Sequence, residues 1–143
     1  LAQAIEHSRD GSRGPFLWRD GPFAGFSTRT PWMPVSQDYP FLNAEHQLST
    51  PGSLWREYQT FIALRATIGA LQHGECSPLT RHRECVWFTR TTPQEQVWVA
   101  VNFGQPVQNP LWAIEADVLY GQNAPQLDKN QILIKRSVYE ETR

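Results

Sequence analysis

The sequence predicts a mostly β chain with one major helix, in which a long irregular loop and that helix precede an antiparallel β-sandwich. Three observations carry this. Between Ser8 and Thr50, Pro15, Pro22, Pro31, Pro34 and Pro40 alternate with Gly11, Gly14, Gly21 and Gly25, so neither a long helix nor a central strand fits. Apolar residues then recur at helical spacing from Leu54 to Ile62. From Leu71 onward the pattern changes to period 2.

The loop is not a disordered linker. It carries Phe16, Trp18, Phe23, Phe26, Trp32, Tyr39 and Phe41, and burial of such side chains is what stabilises ordered chain. Phe16, Trp18, Phe26 and Trp32 are the expected loop anchors. A structureless loop of this length is usually functional. Thr50-Pro51 reads as an N-cap followed by Pro at the first helical position, and Gly69 as a stop, so a helix is expected over Pro51–Thr67. Leu54, Trp55, Tyr58, Phe61 and Ile62 share one face of it, together with Arg65.

Val86 and Phe88 alternate with Trp87 and Thr89, and Val97, Val99, Val101 and Phe103 with Trp98, Ala100 and Asn102. Thr91–Glu95 joins these runs as a hairpin loop. Further strands are expected within Glu75–Leu79, Asp117–Tyr120 and Gln131–Val138, punctuated by Gly104, Pro106, Pro110, Gly121 and Pro125. The charged end Glu140–Arg143 is expected to fray.

The chain has 143 residues, 13 Lys+Arg against 14 Asp+Glu and a formal net charge of -1, which argues against nucleic-acid binding. No apolar run is long enough for a membrane span or a signal peptide. Leu1 stands where a Met would open a complete chain, and reads as the start of a fragment or of a processed form. No cofactor is expected.

Three blocks resemble the C-terminal part of an α-glucosidase or oligo-1,6-glucosidase of the α-amylase superfamily. Arg9-Asp10-Gly11-Ser12-Arg13-Gly14-Pro15-Phe16-Leu17-Trp18 is similar to the family's Arg-Asp-Gly-x-Arg-Thr-Pro-Met-x-Trp, departing at Gly14 and Phe16. Ala24–Ser27 and Pro31–Val35 follow, with Asn43 and Gln47 spaced as in Asn-Val-x-x-Gln. Ser53-Leu54, Tyr58 and Ile62-Ala63-Leu64-Arg65 resemble the last barrel helix, and Val97–Phe103 a strand of the C-terminal sandwich.

The resemblance implies that residues 1–70 are the end of a TIM barrel, meaning the loop after strand eight and helix eight, and that residues 71–143 are the sandwich. Loops at the C-terminal ends of barrel strands build the active site. The implied chemistry is retaining hydrolysis of short α-linked glucosides by two carboxylates. These lie on earlier strands in such enzymes, so no catalytic residue is expected in this chain and no turnover from it alone. Arg13 corresponds to the arginine that binds substrate hydroxyls, a task suited to a planar guanidinium fork. An α-glucoside oligosaccharide is the expected partner, and the setting is cytoplasmic.

Other constellations weigh less. Asp10 and Asp20 flank the loop, and Asp10 reads as a turn residue rather than a catalytic acid. His73-x-x-Cys76 and His82-x-x-Cys85 are too closely spaced for a zinc finger, so no metal is expected. Trp55, Trp87, Trp98 and Trp112 read as packing residues, with Trp98 the best candidate for an exposed sugar platform. Arg81, Arg83 and Arg90 read as solvated charges. Two alternatives to a hydrolase segment stay open: a non-enzymatic interaction module of the same fold and a free-standing sugar-binding sandwich. The apolar helix face, left without a barrel, is expected to drive self-association.

Overall fold

The structure is a computed structural model and describes residues 13–139. The ends, including Leu1, Arg9–Ser12 and Glu140–Arg143, lie outside the described residues. The chain divides into two compact units, Leu1–Phe61 and Ile62–Arg143.

In the first unit a short turn at Pro22–Gly25 is followed by helix α1 (Ala44–Ser49), and helix α2 (Leu54–Thr67) begins near its end. α1 was not expected, although Asn43 ahead of Ala44-Glu45 is a helix-start signal. Its presence shifts the start of α2. Thr50 terminates α1, its N–H and hydroxyl both bonded to the His46 carbonyl, and so it cannot cap the next helix. Gly52 turns the chain at φ 70, a left-handed value that only glycine adopts without strain. Ser53 then takes the capping role, its Oγ accepting from Arg56 N at 3.3 Å. α2 therefore starts at Leu54 rather than Pro51, and ends at Thr67 as the pattern predicts.

The second unit opens with the last turns of α2. Ile68 is extended (φ -114, ψ 113), and Gly69 starts helix α3 (Gly69–His73) instead of closing α2. Among the described residues eight strands follow: β1 (Glu75–Cys76), β2 (Thr80–His82), β3 (Cys85–Thr91), β4 (Glu95–Asn102), β5 (Val107–Gln108), β6 (Asp117–Tyr120), β7 (Gln126–Leu127) and β8 (Ile132–Val138). Six form one antiparallel sheet in the order β1-β3-β4-β8-β6, with β2 also on β3, and β5 pairs with β7 in a second sheet. The β3–β4 hairpin closes through Thr92, whose N–H donates to Glu95 O at 2.9 Å and whose Oγ1 accepts from Glu95 N.

Register decides which residues form the core. Cys85 faces Asn102, Trp87 faces Ala100, Trp98 faces Lys135 and Ala100 faces Leu133. These side chains share a face, because alternate residues of a strand point the same way. Cys85, Ala100 and Leu133 pack there with Val107, Leu111 and Leu127 from the second sheet and its connection, flanked by Trp87, Trp98 and Ile114. Trp98 does occupy the face opposite the valines, but packing against this cluster makes it part of the core region rather than an exposed platform. On the valine face, α3 packs against β3 and β4.

Buried polar groups are satisfied. Glu95 receives Ala70 N at 2.7 Å and Arg136 Nε at 2.6 Å, so its desolvated carboxylate is paired on both oxygens. Asn102, fully buried, shares its Nδ2 among the carbonyls of Gln105, Leu127 and Asp128 at 3.0–3.1 Å, and accepts from Gly104 N. It ties the end of β4 to β7. Among the described residues, no helix is long and apolar enough to cross a membrane.

Candidate functional site: the Arg13 loop

The first turn of a helix leaves four N–H groups without intrahelical partners. In α1 three of these are supplied from the loop and cap: Ala44 N donates to Leu17 O at 2.9 Å, Glu45 N to Trp18 O at 3.0 Å and His46 N to Asn43 Oδ1 at 2.8 Å, after which Gln47 N makes the first intrahelical bond, to Asn43 O at 3.0 Å. The helix start thus fixes the extended segment that leads back to Arg13. Asn43 is buried, and its Nδ2 donates to Tyr39 O at 2.7 Å, which brings the end of the aromatic loop to the same point.

A second clamp lies at Pro22–Gly25. Trp18 N and Arg19 N both donate to Ala24 O, at 2.9 and 3.2 Å. Phe23, Ala24 and Gly25 have positive φ values of 51, 54 and 69, which fold the chain back sharply. Gly25 has φ 69, which favours glycine, and a Cβ there would lie 2.8 Å from Cγ of the exposed Arg19 side chain, which would have to shift. Gln47 completes the set: its Oε1 accepts from Trp55 N at 3.3 Å and its carbonyl from Ser53 Oγ at 2.6 Å. Asn43 and Gln47, matched at the sequence level only by their spacing, therefore have separate structural tasks.

Arg13 is exposed at the start of this organised loop, and a guanidinium there can direct five donors at hydroxyls or at a carboxylate. The expected anchors do not form a core of this unit: Phe16, Trp18, Phe26 and Trp32 are 51%, 52%, 49% and 89% exposed. Phe16 and Trp18 pack on each other, with ring centroids 4.6 Å apart. Buried positions of the loop are instead Ala24, Met33 and Asn43. The loop's order within this chain comes from main-chain hydrogen bonds and the Asn43 cap, which aromatic counting does not detect.

Asp20 is exposed, and Asp10, its suggested companion, lies outside the described residues. His82 is paired with Cys85 across β2 and β3, whereas Cys76 is paired with Arg90, well along β3. Both cysteines are free, Cys76 exposed and Cys85 buried, and burial pushes the Cys85 thiol above its ordinary value. Among the described residues, no three His, Cys, Asp or Glu side chains are gathered to hold a metal.

Residues 1–74 match the alpha-amylase family, in the part described as the alpha amylase catalytic domain. The chain belongs to the α-amylase family. Among α-amylase-family relatives, the oligo-1,6-glucosidase of Parageobacillus thermoglucosidasius is 30% identical over 113 residues, covering 78% of this chain and 20% of that protein. The trehalose-6-phosphate hydrolase of Escherichia coli is 31% identical over 109 residues, covering 76% of this chain and 20% of that protein. The crystal structure of an isomaltulose synthase from Klebsiella sp. LX3 superposes with a TM-score of 0.80 at 32% identity, over 90% of this chain and 26% of that one. The chain thus spans about a fifth of the length of these curated relatives. The resemblance to the α-glucosidase and oligo-1,6-glucosidase branch is borne out.

Proposed function

We propose that this chain is the C-terminal segment of a retaining hydrolase of short α-linked glucosides. Residues 1–70 supply the loop after the eighth barrel strand and the eighth barrel helix, and residues 71–143 supply a β-sandwich. The observation that carries this reading is the double clamp on the loop: an exposed Arg13 precedes a segment pinned both to Ala24 and to the start of α1. A guanidinium carried at the edge of a pinned segment can offer its planar fork to sugar hydroxyls, which is the use such a loop has in substrate binding. The family match over residues 1–74 and the oligo-1,6-glucosidase relatives support the substrate class.

The nucleophile and the acid of retaining hydrolysis are assigned to barrel strands outside this chain, so the chain alone has no turnover. Arg13 acts in binding and orientation only. A reducing, cytoplasmic setting belongs to the same reading and is supported by the free Cys76 and Cys85.

The test uses the full-length enzyme. Arg13→Ala is expected to lower kcat/KM for an aryl α-glucoside by about 100-fold, the loss that follows when one partner of a charged contact is truncated. Arg13→Lys should recover only part of it, because an ammonium lacks the planar fork. Unchanged kcat/KM in Arg13→Ala would refute the assignment. Hydrolysis above background by the 143-residue chain alone would refute the claim of inactivity.

A further inference from the structure

A cavity of about 420 Å³ opens on the β unit between the β2–β3 hairpin and the segment following β5. Trp87 and Trp112 line it, with His82, Gln108 and Asn109 as its polar side chains and Cys85 at the buried end. No carboxylate, lysine or arginine is among the residues that form it. Its size and its mixture of apolar walls with a few polar groups are those of a small-molecule site.

The segment that carries Trp112 is held unusually firmly. Asn109, buried, donates from Nδ2 to Ala124 O at 2.7 Å and accepts Leu111 N on Oδ1 at 2.9 Å. Trp112 N donates to Asn109 O at 3.3 Å. From the sheet, Lys135, itself buried, donates Nζ to Leu111 O at 3.3 Å and to Ile114 O. Two buried polar side chains therefore fix a surface turn whose indole remains 47% exposed. The same bonds seat Leu111 in the core cluster, and with it they set Trp112 at the cavity, which lowers the ordering cost of binding something flat and apolar on one side.

We propose that this cavity is a binding site for a neutral pyranose of an oligosaccharide. The C–H face of a sugar ring fits against the indole of Trp112, while Gln108 and His82 exchange hydrogen bonds with ring hydroxyls. With no carboxylate, lysine or arginine in the lining, an uncharged ligand suits the cavity better than an anionic or cationic one. The inference does not depend on the role given to Arg13.

The experiment is calorimetric titration of the 143-residue chain with maltose, isomaltose and maltotriose, with sorbitol as the non-cyclic control, followed also by tryptophan fluorescence. Saturable millimolar binding of at least one glucoside and none of sorbitol is expected. Trp112→Ala should weaken it about tenfold or more with the thermal transition retained, and Lys129→Ala, at an exposed position outside the lining, should leave it unchanged. If Trp112→Ala does not fold, Gln108→Ala, at an exposed position, provides the same test with a smaller loss. Absence of saturable binding by all three sugars overturns the proposal. So does binding that Arg13→Ala removes and the cavity variants keep. Loss of self-association in Trp112→Ala without any sugar binding would overturn it too, and would assign the face to a protein contact.

Discussion

The segment 13–61 and the β-sheet unit both hold tryptophans, yet they reach order by different means. In the β unit, strand alternation carries Ala100 and Leu133 into a closed cluster with Val107, Leu111 and Leu127, and Trp87 and Trp98 pack around it. In the loop unit, hydrogen bonds at the start of α1 and at Ala24 shape the chain while Phe16, Trp18, Phe26 and Trp32 face outward. Main-chain bonds specify a conformation, but each contributes only about 1 kcal/mol net, whereas apolar burial dominates stability. The first unit is therefore shaped but not independently stabilised. On the proposed reading, in which this unit is one part of a larger catalytic domain, that is the expected state.

The comparison predicts a graded series of effects. Leu133→Ala, at a fully buried position in the β core, should cost about 2–5 kcal/mol in chemical denaturation of the chain. Glu95→Gln should cost about 2–3 kcal/mol, because it removes the charged acceptor that joins Ala70 N to Arg136 across the valine face. Asn43→Ala should cost about 1 kcal/mol, seen as lost helicity of α1 with the sheet signal intact. Trp32→Ser, at the most exposed of the aromatics, should change the stability of this chain by less than about 0.5 kcal/mol. A large cost at Trp32 and a small one at Leu133 would invert the comparison.

Cysteine chemistry sharpens the same contrast within the β unit. Burial raises the Cys85 thiol above its ordinary 9.0, so the folded state favours the protonated form. The associated stability is fully present below the ordinary value and is lost as pH rises through the raised one. Alkylation at pH 8 should therefore modify exposed Cys76 and leave Cys85 intact until the chain unfolds. Equal labelling of the two would contradict the burial of β3.

Exposure of α2 carries a prediction of its own. Leu54, Tyr58 and Ile62, each more than 60% exposed, lie along one face at helical spacing. Sedimentation of the chain should show concentration-dependent association, reduced by Leu54→Glu with Ile62→Glu. A monodisperse monomer that melts cooperatively would contradict it.

Much of the β unit was legible because its signal is periodic. The alternation in Val97–Phe103 and Val86–Thr89 predicts β4, β3 and the face assignment of Trp98, and Asp117–Tyr120 is a strand over those residues. Alternation does not say which face is covered. Trp98 reads as a packing residue and, because it opposes the valines, as the best candidate of the four for an exposed platform; the second sheet packs on that side, and Trp112 from a non-periodic turn is the more exposed indole. The strand pairs β5 and β7, two residues each, are too short to produce a pattern. In the loop unit, the Pro51 start of α2 failed because Thr50 closes a helix that aromatic and proline counting had hidden inside the loop. Arg13 is singled out only by the motif it sits in, since neither charge nor spacing marks one arginine among many.

Hydrogen exchange of the 143-residue chain, resolved by segment, tests the contrast between the two units most directly. The account predicts the slowest exchange in β3, β4 and β8, with the amides of Ala44, Glu45 and the rest of 13–61 exchanging through much cheaper local openings. Protection of 13–61 equal to that of β4 would contradict it, and would show a loop unit that holds itself together.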